Sequence, residues 1–320
     1  MRYLDFHCDT LYQAVLSQRD DLTSMDTMAD LNKLRTGQAG GQFFAVFMPE
    51  PHDFSTHPHL VSDEHYIQTA VDVLQTTIAR HPQEIALARN ATELTDCIFQ
   101  NKIAAFLTLE DGRAVDGNME RLEQFFSTGF RLISLTWNHE NCFGYPNSTD
   151  SDAMSLGLKP FGQDAVLRME ELGMLVDVSH LSDGGFGDVA ELLHSPFVAS
   201  HSNCRSLCHH PRNLSDEMIR TLADHGGVAG LNFCPDFLTP HRQSTISAML
   251  AHLHHMIQVG GIGCVALGTD FDGIRGSLEI SGAHQMHLLF EAMERNGFTS
   301  SQMEQIAWGN AARVIKDTLK

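Results

Sequence analysis

Short apolar, β-rich runs recur along the whole sequence. They fall at residues 3–7 (YLDFH), 42–47 (QFFAVF), 102–109 (KIAAFLTL), 131–135 (RLISL), 174–178 (MLVDV), 197–200 (FVAS), 227–231 (GVAGL) and 263–268 (GCVALG). Most are apolar at consecutive positions, the pattern of parallel strands whose two faces are both covered. Helical periodicity fills many of the gaps between them. Over 63–80, Ile67, Ala70, Val71, Leu74 and Ile78 recur at spacings of three and four behind a candidate N-cap at Ser62. Ser215 is placed to cap a helix over 216–224 that stops before Gly226 and Gly227, and Thr299 with Gln302 has capping-box spacing before a C-terminal helix. Eight strands with intervening helices predict an α/β chain, a single (β/α)8 TIM barrel occupying residues 1–320 as one domain. An open doubly wound sheet is the alternative, but no Gly-rich dinucleotide or phosphate loop follows the first run. The Asn-, Gly- and Pro-rich connection over 137–157 is expected to cover the mouth of the barrel.

The formal net charge of −19 argues against nucleic acid and anionic membrane surfaces as partners, since both require a basic patch. It also disfavours an anionic substrate unless a local cation captures it. The opening MRYLDFHCDT lacks a basic stretch before an apolar core, no run is long enough to span a bilayer, and residues 316–320 offer no apolar tail, so the expected location is the cytoplasm. Seven scattered cysteines (8, 97, 142, 204, 208, 234 and 264) suggest reduced thiols rather than a disulfide framework. Cys204 and Cys208 sit four apart near histidines, but no second such pair completes a zinc knuckle.

Chemistry-bearing residues gather at the ends of these runs. The first ends in His7-Cys8-Asp9, whose two-residue spacing turns His7 and Asp9 the same way. Glu110 follows AAFLTL, and a carboxylate with two oxygens can bridge two metals. Two further runs end in His180 and His201, and neutral imidazole is a preferred zinc ligand. Asp270 follows VALG after Thr269, whereas Asp272-Gly273 suits a plain turn. Each residue alone has an ordinary structural explanation: a strand-end hydrogen bond, a turn, or a buried ion pair. Together, His7, Asp9, Glu110, His180, His201 and Asp270 supply enough N and O donors for two metals sharing one carboxylate, at the barrel end where active sites sit.

The chain resembles the membrane (renal-type) dipeptidase family, peptidase family M19, of the amidohydrolase superfamily. The matching stretches are DFHCDT (5–10), LEDG (109–112), LTWNHEN (135–141), GLKPFGQDAVLRMEELGMLVDVSH (157–180), SHSN (200–203), HPRN (210–213) and GTDFDG (268–273). The resemblance implies a metal-dependent hydrolase that cleaves dipeptides, including those with a C-terminal D-residue, by a metal-bridging hydroxide. It implies two Zn2+ per chain, with Mn2+ or Co2+ as substitutes: His7 and Asp9 on one ion, His180 and His201 on the other, and Glu110 on both. Asp270 would orient the hydroxide and pass its proton to the leaving amine. His139 would meet the substrate carbonyl and its developing oxyanion, and Arg212 would bind the C-terminal carboxylate. A homodimer is a family expectation too. Two departures stand out: Cys8 between His7 and Asp9, where many relatives carry Asn or another polar residue, and Cys234 in NFCPDFL, where bacterial relatives often carry an aromatic nearby. Cys8 is expected to point away from the metals. Other binuclear chemistry (a lactonase, cyclic amidase or phosphotriesterase) and a non-catalytic metal-binding barrel are the competing functions.

Overall fold

In the computed structural model, which describes residues 1–320, parallel pairing carries the chain around a closed circle. The strands are β1 (Tyr3–Cys8), β2 (Ala39–Phe47), β3 (Ile85–Leu87), β4 (Ile103–Glu110), β5 (Phe130–Ser134), β6 (Leu175–Asp177), β7 (Val198–Ala199), β8 (Val228–Leu231) and β9 (Val265–Leu267). The order β2-β1-β9-β8-β7-β6-β5-β4 is closed by a long β2–β4 ladder from Gly41↔Ala104 to Phe47↔Glu110. These eight strands form the expected (β/α)8 barrel and correspond to the eight apolar runs. β3 is additional. It pairs with β4 only at Ile103–Ala105, below the stretch from Leu107 to Glu110 that β5 occupies. Three residues are too few for a recognisable period.

Alternation along the strands sorts the core into two layers. Leu4, Phe6, Phe43, Ala104 and Phe106 lie in an inner cluster, which helix Asn310–Thr318 joins through Ala311, Val314 and Ile315. Tyr3, Cys8, Phe44, Ala105 and Leu107 belong to the larger outer cluster beneath the surrounding helices. Phe6, Phe43 and Phe106 stack in series with centroids 4.8 and 4.5 Å apart, an aromatic floor inside the barrel. The pairing of β1 with β2 shifts register between Asp5 and Cys8. That irregularity lets Phe6 pack on the floor while the next residue, His7, also faces inward and Cys8 packs outside.

The expected helix ends are all present. Ser62 accepts from His65 N, Ser215 from Met218 N, and Thr299 and Gln302 form a reciprocal capping box. The connection over 137–157 does lie across the mouth: Asn147 N donates to His180 O (2.7 Å), and Pro146 bridges to Leu181. All seven cysteines are free, and the Sγ atoms of Cys204 and Cys208 donate to different carbonyls, His252 O and Asp236 O. No helix is long and apolar enough to cross a membrane.

Candidate metal centre

Five of the barrel strands, β1, β4, β6, β7 and β9, deliver candidate residues to one end of the barrel. Glu110 closes β4; His7 and Asp9 flank the end of β1; His180, His201 and Asp270 follow β6, β7 and β9 within three residues. All five candidate ligands are buried, His7 and His201 to 1% exposure. Glu110 stands at the centre. Its Oε2 lies 3.3 Å from His7 Nε2, and its Oε1 lies 3.2 Å from His180 Nε2 and 3.5 Å from His201 Nε2. Asp9 Oδ2 is 3.3 Å and Asp270 Oδ1 3.9 Å from His7 Nε2. His7-Asp9-Glu110 and Glu110-His180-His201 thus form two adjacent donor triads that share one carboxylate.

The donor set fits a pair of divalent cations. Ligand atoms about 2.0–2.1 Å from a tetrahedral zinc stand roughly 3.3 Å from one another, close to the separations just given. The two imidazoles also face each other, Nε2 to Nε2, at 3.1 Å. Burial, followed by the charge of Arg212, pushes His180 down to about 3, and burial and His7 hold His201 well below the ordinary imidazole value. Both rings are therefore neutral near pH 7, the form that ligates metal. The acids carry the complementary imbalance. Burial pushes Asp9 up to about 8 and Asp270 up to about 6, with Glu110 adding repulsion in each case. Burial raises Glu110 as well, but His7 and hydrogen bonds from His180, His201 and His7 outweigh it and hold this carboxyl well below its usual range. Asp9 Oδ1 is buried without a hydrogen-bond partner. Burial opposes it, but Glu110 and Asp9 hold His7 well above the ordinary imidazole value, so a protonated His7 offsets the crowded carboxylates in the metal-free protein; the unpartnered Asp9 oxygen and the two neutral imidazoles are donors for a cation that would displace that proton.

A ring of hydrogen bonds behind the donors fixes their orientation. His201 Nδ1 contacts Ser200 Oγ (2.7 Å), which donates to Asp177 Oδ2 (2.6 Å). Asp177 also accepts from Ser134 Oγ and from the backbone N–H groups of Ser179 and Ser200. The chain holds the His201 proton on Nδ1 and leaves Nε2 free for the centre. On the other side, the buried Asp5 carboxylate accepts from Thr269 N (2.8 Å), Thr269 Oγ1 (2.7 Å) and Gln42 Nε2 (3.0 Å), tying β1 to the loop that carries Asp270. Asn232 Nδ2 donates to Asp270 Oδ2 (2.9 Å). His180 and Asp270 both adopt left-handed backbone angles (φ 69° and 61°), costly for residues with side chains and characteristic of sites where geometry is imposed. A Cβ at Gly273 would collide with Asp9 Oδ2 and Asp270 Oδ1, so only glycine lets that loop close over them.

The centre opens into a cavity of about 460 Å3 lined by Trp137, Asn147, Arg212, Cys234, Phe237 and Arg275 among others. Arg212 is buried to 5% exposure; its Nη1 donates to Ser202 Oγ and its Nη2 to His201 O, while Nε–H has no partner. His139 is set apart. Its side chain is 68% exposed, stands outside the lining, and contacts Glu50 Oε2 through Nε2 at 3.2 Å. Sequence reasoning passed over Asp5, Asp177, Ser200, Asn232 and Glu50. Asp177 lies inside the VDVSH motif, but nothing in its spacing separates a supporting carboxylate from a turn residue.

The sequence model of membrane dipeptidases (peptidase family M19) matches residues 1–320. A protein described as an uncharacterised dipeptidase of Schizosaccharomyces pombe is 32% identical over 317 residues, covering 95% of this chain and 75% of that one. Two solved structures share the fold. A metallopeptidase of Rhodobacter sphaeroides, liganded with a phosphinate mimic of L-Ala-D-Ala, superposes with a TM-score of 0.85 at 24% identity over 99% of both chains. An amidohydrolase of Pseudomonas aeruginosa does so with a TM-score of 0.77 at 20% identity, over 91% of this chain and 96% of that one.

Proposed function

The chain belongs to the membrane dipeptidase family, peptidase family M19, and is a metallodipeptidase; on that premise we propose that residues 1–320 act as one catalytic unit that uses two zinc ions to cleave dipeptides, including those with a C-terminal D-residue. His7 and Asp9 would hold one ion, His180 and His201 the other, with Glu110 contributing to both. Such a pair, when bound, would supply an activated water near neutral pH and polarise the scissile carbonyl. The convergence of these five donors on one buried point, beside an arginine with an unused donor, carries this reading.

Arg212 takes the α-carboxylate of the C-terminal residue. Its partnerless Nε–H and its position in the cavity wall support this role, and one buried guanidinium overcomes the acidic background charge locally. Asp270 accepts the proton of the attacking water and returns it to the leaving amine. Asn232 fixes Oδ2 and leaves Oδ1 toward the centre. His139 stabilises the charge that develops on the carbonyl oxygen, which requires its imidazole to leave Glu50 and turn inward. Acceptance of a C-terminal D-residue is supported by the ligand of the Rhodobacter sphaeroides structure. Beside Arg212 the cavity of this chain is bordered by His210, Cys234 and Phe237.

The test is metal content and a panel of L,L- and L,D-dipeptides measured on one sample. About two zinc ions per chain with turnover of free dipeptides is the expected result. Metal-loaded protein that cleaves lactones or phosphotriesters but no dipeptide would defeat the reading. Equal cleavage of C-terminally amidated dipeptides would remove the role given to Arg212.

A further inference from the structure

A free dipeptide is a zwitterion, and Arg212 accounts for only one of its charges. We propose that Glu50 recognises the α-ammonium, so that the cavity reads both ends of its substrate; this rests on the dipeptide reading above.

Barrel topology places the two residues across the mouth from each other. Glu50 follows β2 and Arg212 follows β7. From β2 the circle reaches β7 through β4, β5 and β6 in one direction and through β1, β9 and β8 in the other, four steps either way. The donor triads lie between. A substrate whose scissile carbonyl sits at the centre and whose carboxylate reaches Arg212 therefore points its amino terminus at the β2 side. Two extended residues span only about 7 Å, so both termini stay close to the centre.

Elimination among the acids of the lining singles out one. These are Asp9, Glu50, Asp53, Glu110, Asp270 and Asp272. Asp9 and Glu110 belong to the triads, and Asp270 is committed to the attacking water. Asp272 is saturated by Thr10 Oγ1 (2.6 Å), Met28 N (2.5 Å) and Ala29 N (3.2 Å). Asp53, buried to 2% exposure, accepts from Glu50 N (2.8 Å) and has His52 Nε2 at 3.5 Å, while the Tyr12 hydroxyl bonds to it as well. Glu50, whose side chain also faces the Asp53 N–H in a capping box, is the one whose other partner, the exposed His139, is free to leave. Asp53 meanwhile holds the Glu50 backbone in place, so the side chain projects from an anchored segment. Independent support comes from the opposite wall, where a guanidinium more than nine-tenths buried keeps an unpartnered N–H. A cavity with an unspent cationic donor on one side and an exchangeable carboxylate on the other fits a zwitterion. The exchange also serves turnover: the arriving ammonium replaces His139 at Glu50 and frees that imidazole for the carbonyl oxygen.

The experiment compares metal-loaded wild type, Glu50→Gln and Glu50→Asp on the best dipeptide of the panel and its des-amino counterpart, which for alanylalanine is N-propionylalanine. Wild type is expected to prefer the dipeptide in kcat/KM by at least about a hundredfold, and Glu50→Gln to narrow that ratio about tenfold or more, chiefly through KM for the dipeptide. Glu50→Asp keeps the charge and is expected to lose less of the preference. Tm values for both variants guard against unfolding. An unchanged ratio in Glu50→Gln, no wild-type preference, or equal losses in the two variants overturns the Glu50 assignment while leaving the dipeptidase reading intact. A wild-type protein that cleaves no dipeptide overturns that reading and this one with it.

Discussion

The two sides of the mouth are held in different ways. Around β6 and β7, His180 and His201 are buried, and the Ser134-Asp177-Ser200 chain leaves His201 a single orientation. Around β2 and β5, Glu50 and His139 touch only across an exposed rim, with side-chain exposures of 27% and 68%. On the proposed reading the first region presents fixed donors to ions that tolerate little error, a task its over-determined geometry suits. The second must admit a substrate and release a product, and a pair that exchanges partners easily suits that task. Burial with saturated hydrogen bonds marks the cradle, and loosely paired charge marks the entrance.

The contrast can be broken most sharply at Asp270. Asp270→Asn is expected to keep metal stoichiometry and lower kcat by about 10²- to 10⁴-fold, since Asn232 still orients the side chain while proton transfer is lost. Wild-type turnover in that variant would contradict its role. Chelation comes next. A site at a hundred times its Kd contributes about 2.7 kcal/mol, and stripping it leaves Asp9, Glu110 and Asp270 crowded together. A marked fall in Tm, reversed by zinc, is the calorimetric signature. Reloading is also pH-dependent in a defined sense. Asp9 in the metal-free protein holds its proton up to about pH 8, so binding must displace it; affinity should drop as pH is lowered below that value, with proton release seen by titration in two buffers.

Ser200→Ala sharpens the description of the cradle. Breaking the link from His201 to Asp177 should weaken metal binding by roughly 10–100-fold with a much smaller loss of kcat at saturating zinc, read by competition with a chromophoric chelator. The smallest effect belongs to the rim. His139→Ala should change stability by less than about 0.5 kcal/mol in urea titrations, because an exposed ion pair contributes little, even though it lowers turnover. A large destabilisation there would show that the rim is built like the cradle.

The barrel was legible because most of its strands are largely apolar runs, and the helix ends were legible because Ser62, Ser215 and the Thr299–Gln302 pair have direct capping chemistry. β3 was not, for want of length. The six strand-end residues could be singled out because position at a strand terminus and side-chain type coincide in them. Asp177 shares both properties and Asp5, inside β1, shares the side-chain type, yet they point to the supporting hydrogen bonds rather than to the centre, a distinction that depends on register and on the irregularity in β1. Glu50 could not be found at all from its neighbours: Met48-Pro49-Glu50-Pro51 reads as a strand exit, and its meaning appears only when β2 is seen opposite β7.

The clasp between Asp5 and Thr269 joins residues 264 positions apart. During synthesis, a ribosome releases the segment bearing His7 and Asp9 long before the one bearing Asp270. A nascent chain thus exposes two of the five proposed cation-binding residues while the rest are still untranslated, and because β1 pairs with β9 the barrel closes around all five only when that final strand docks. Metal acquisition in this architecture is coupled to the last long-range step of folding, so free zinc present too early would compete with the barrel rather than complete it.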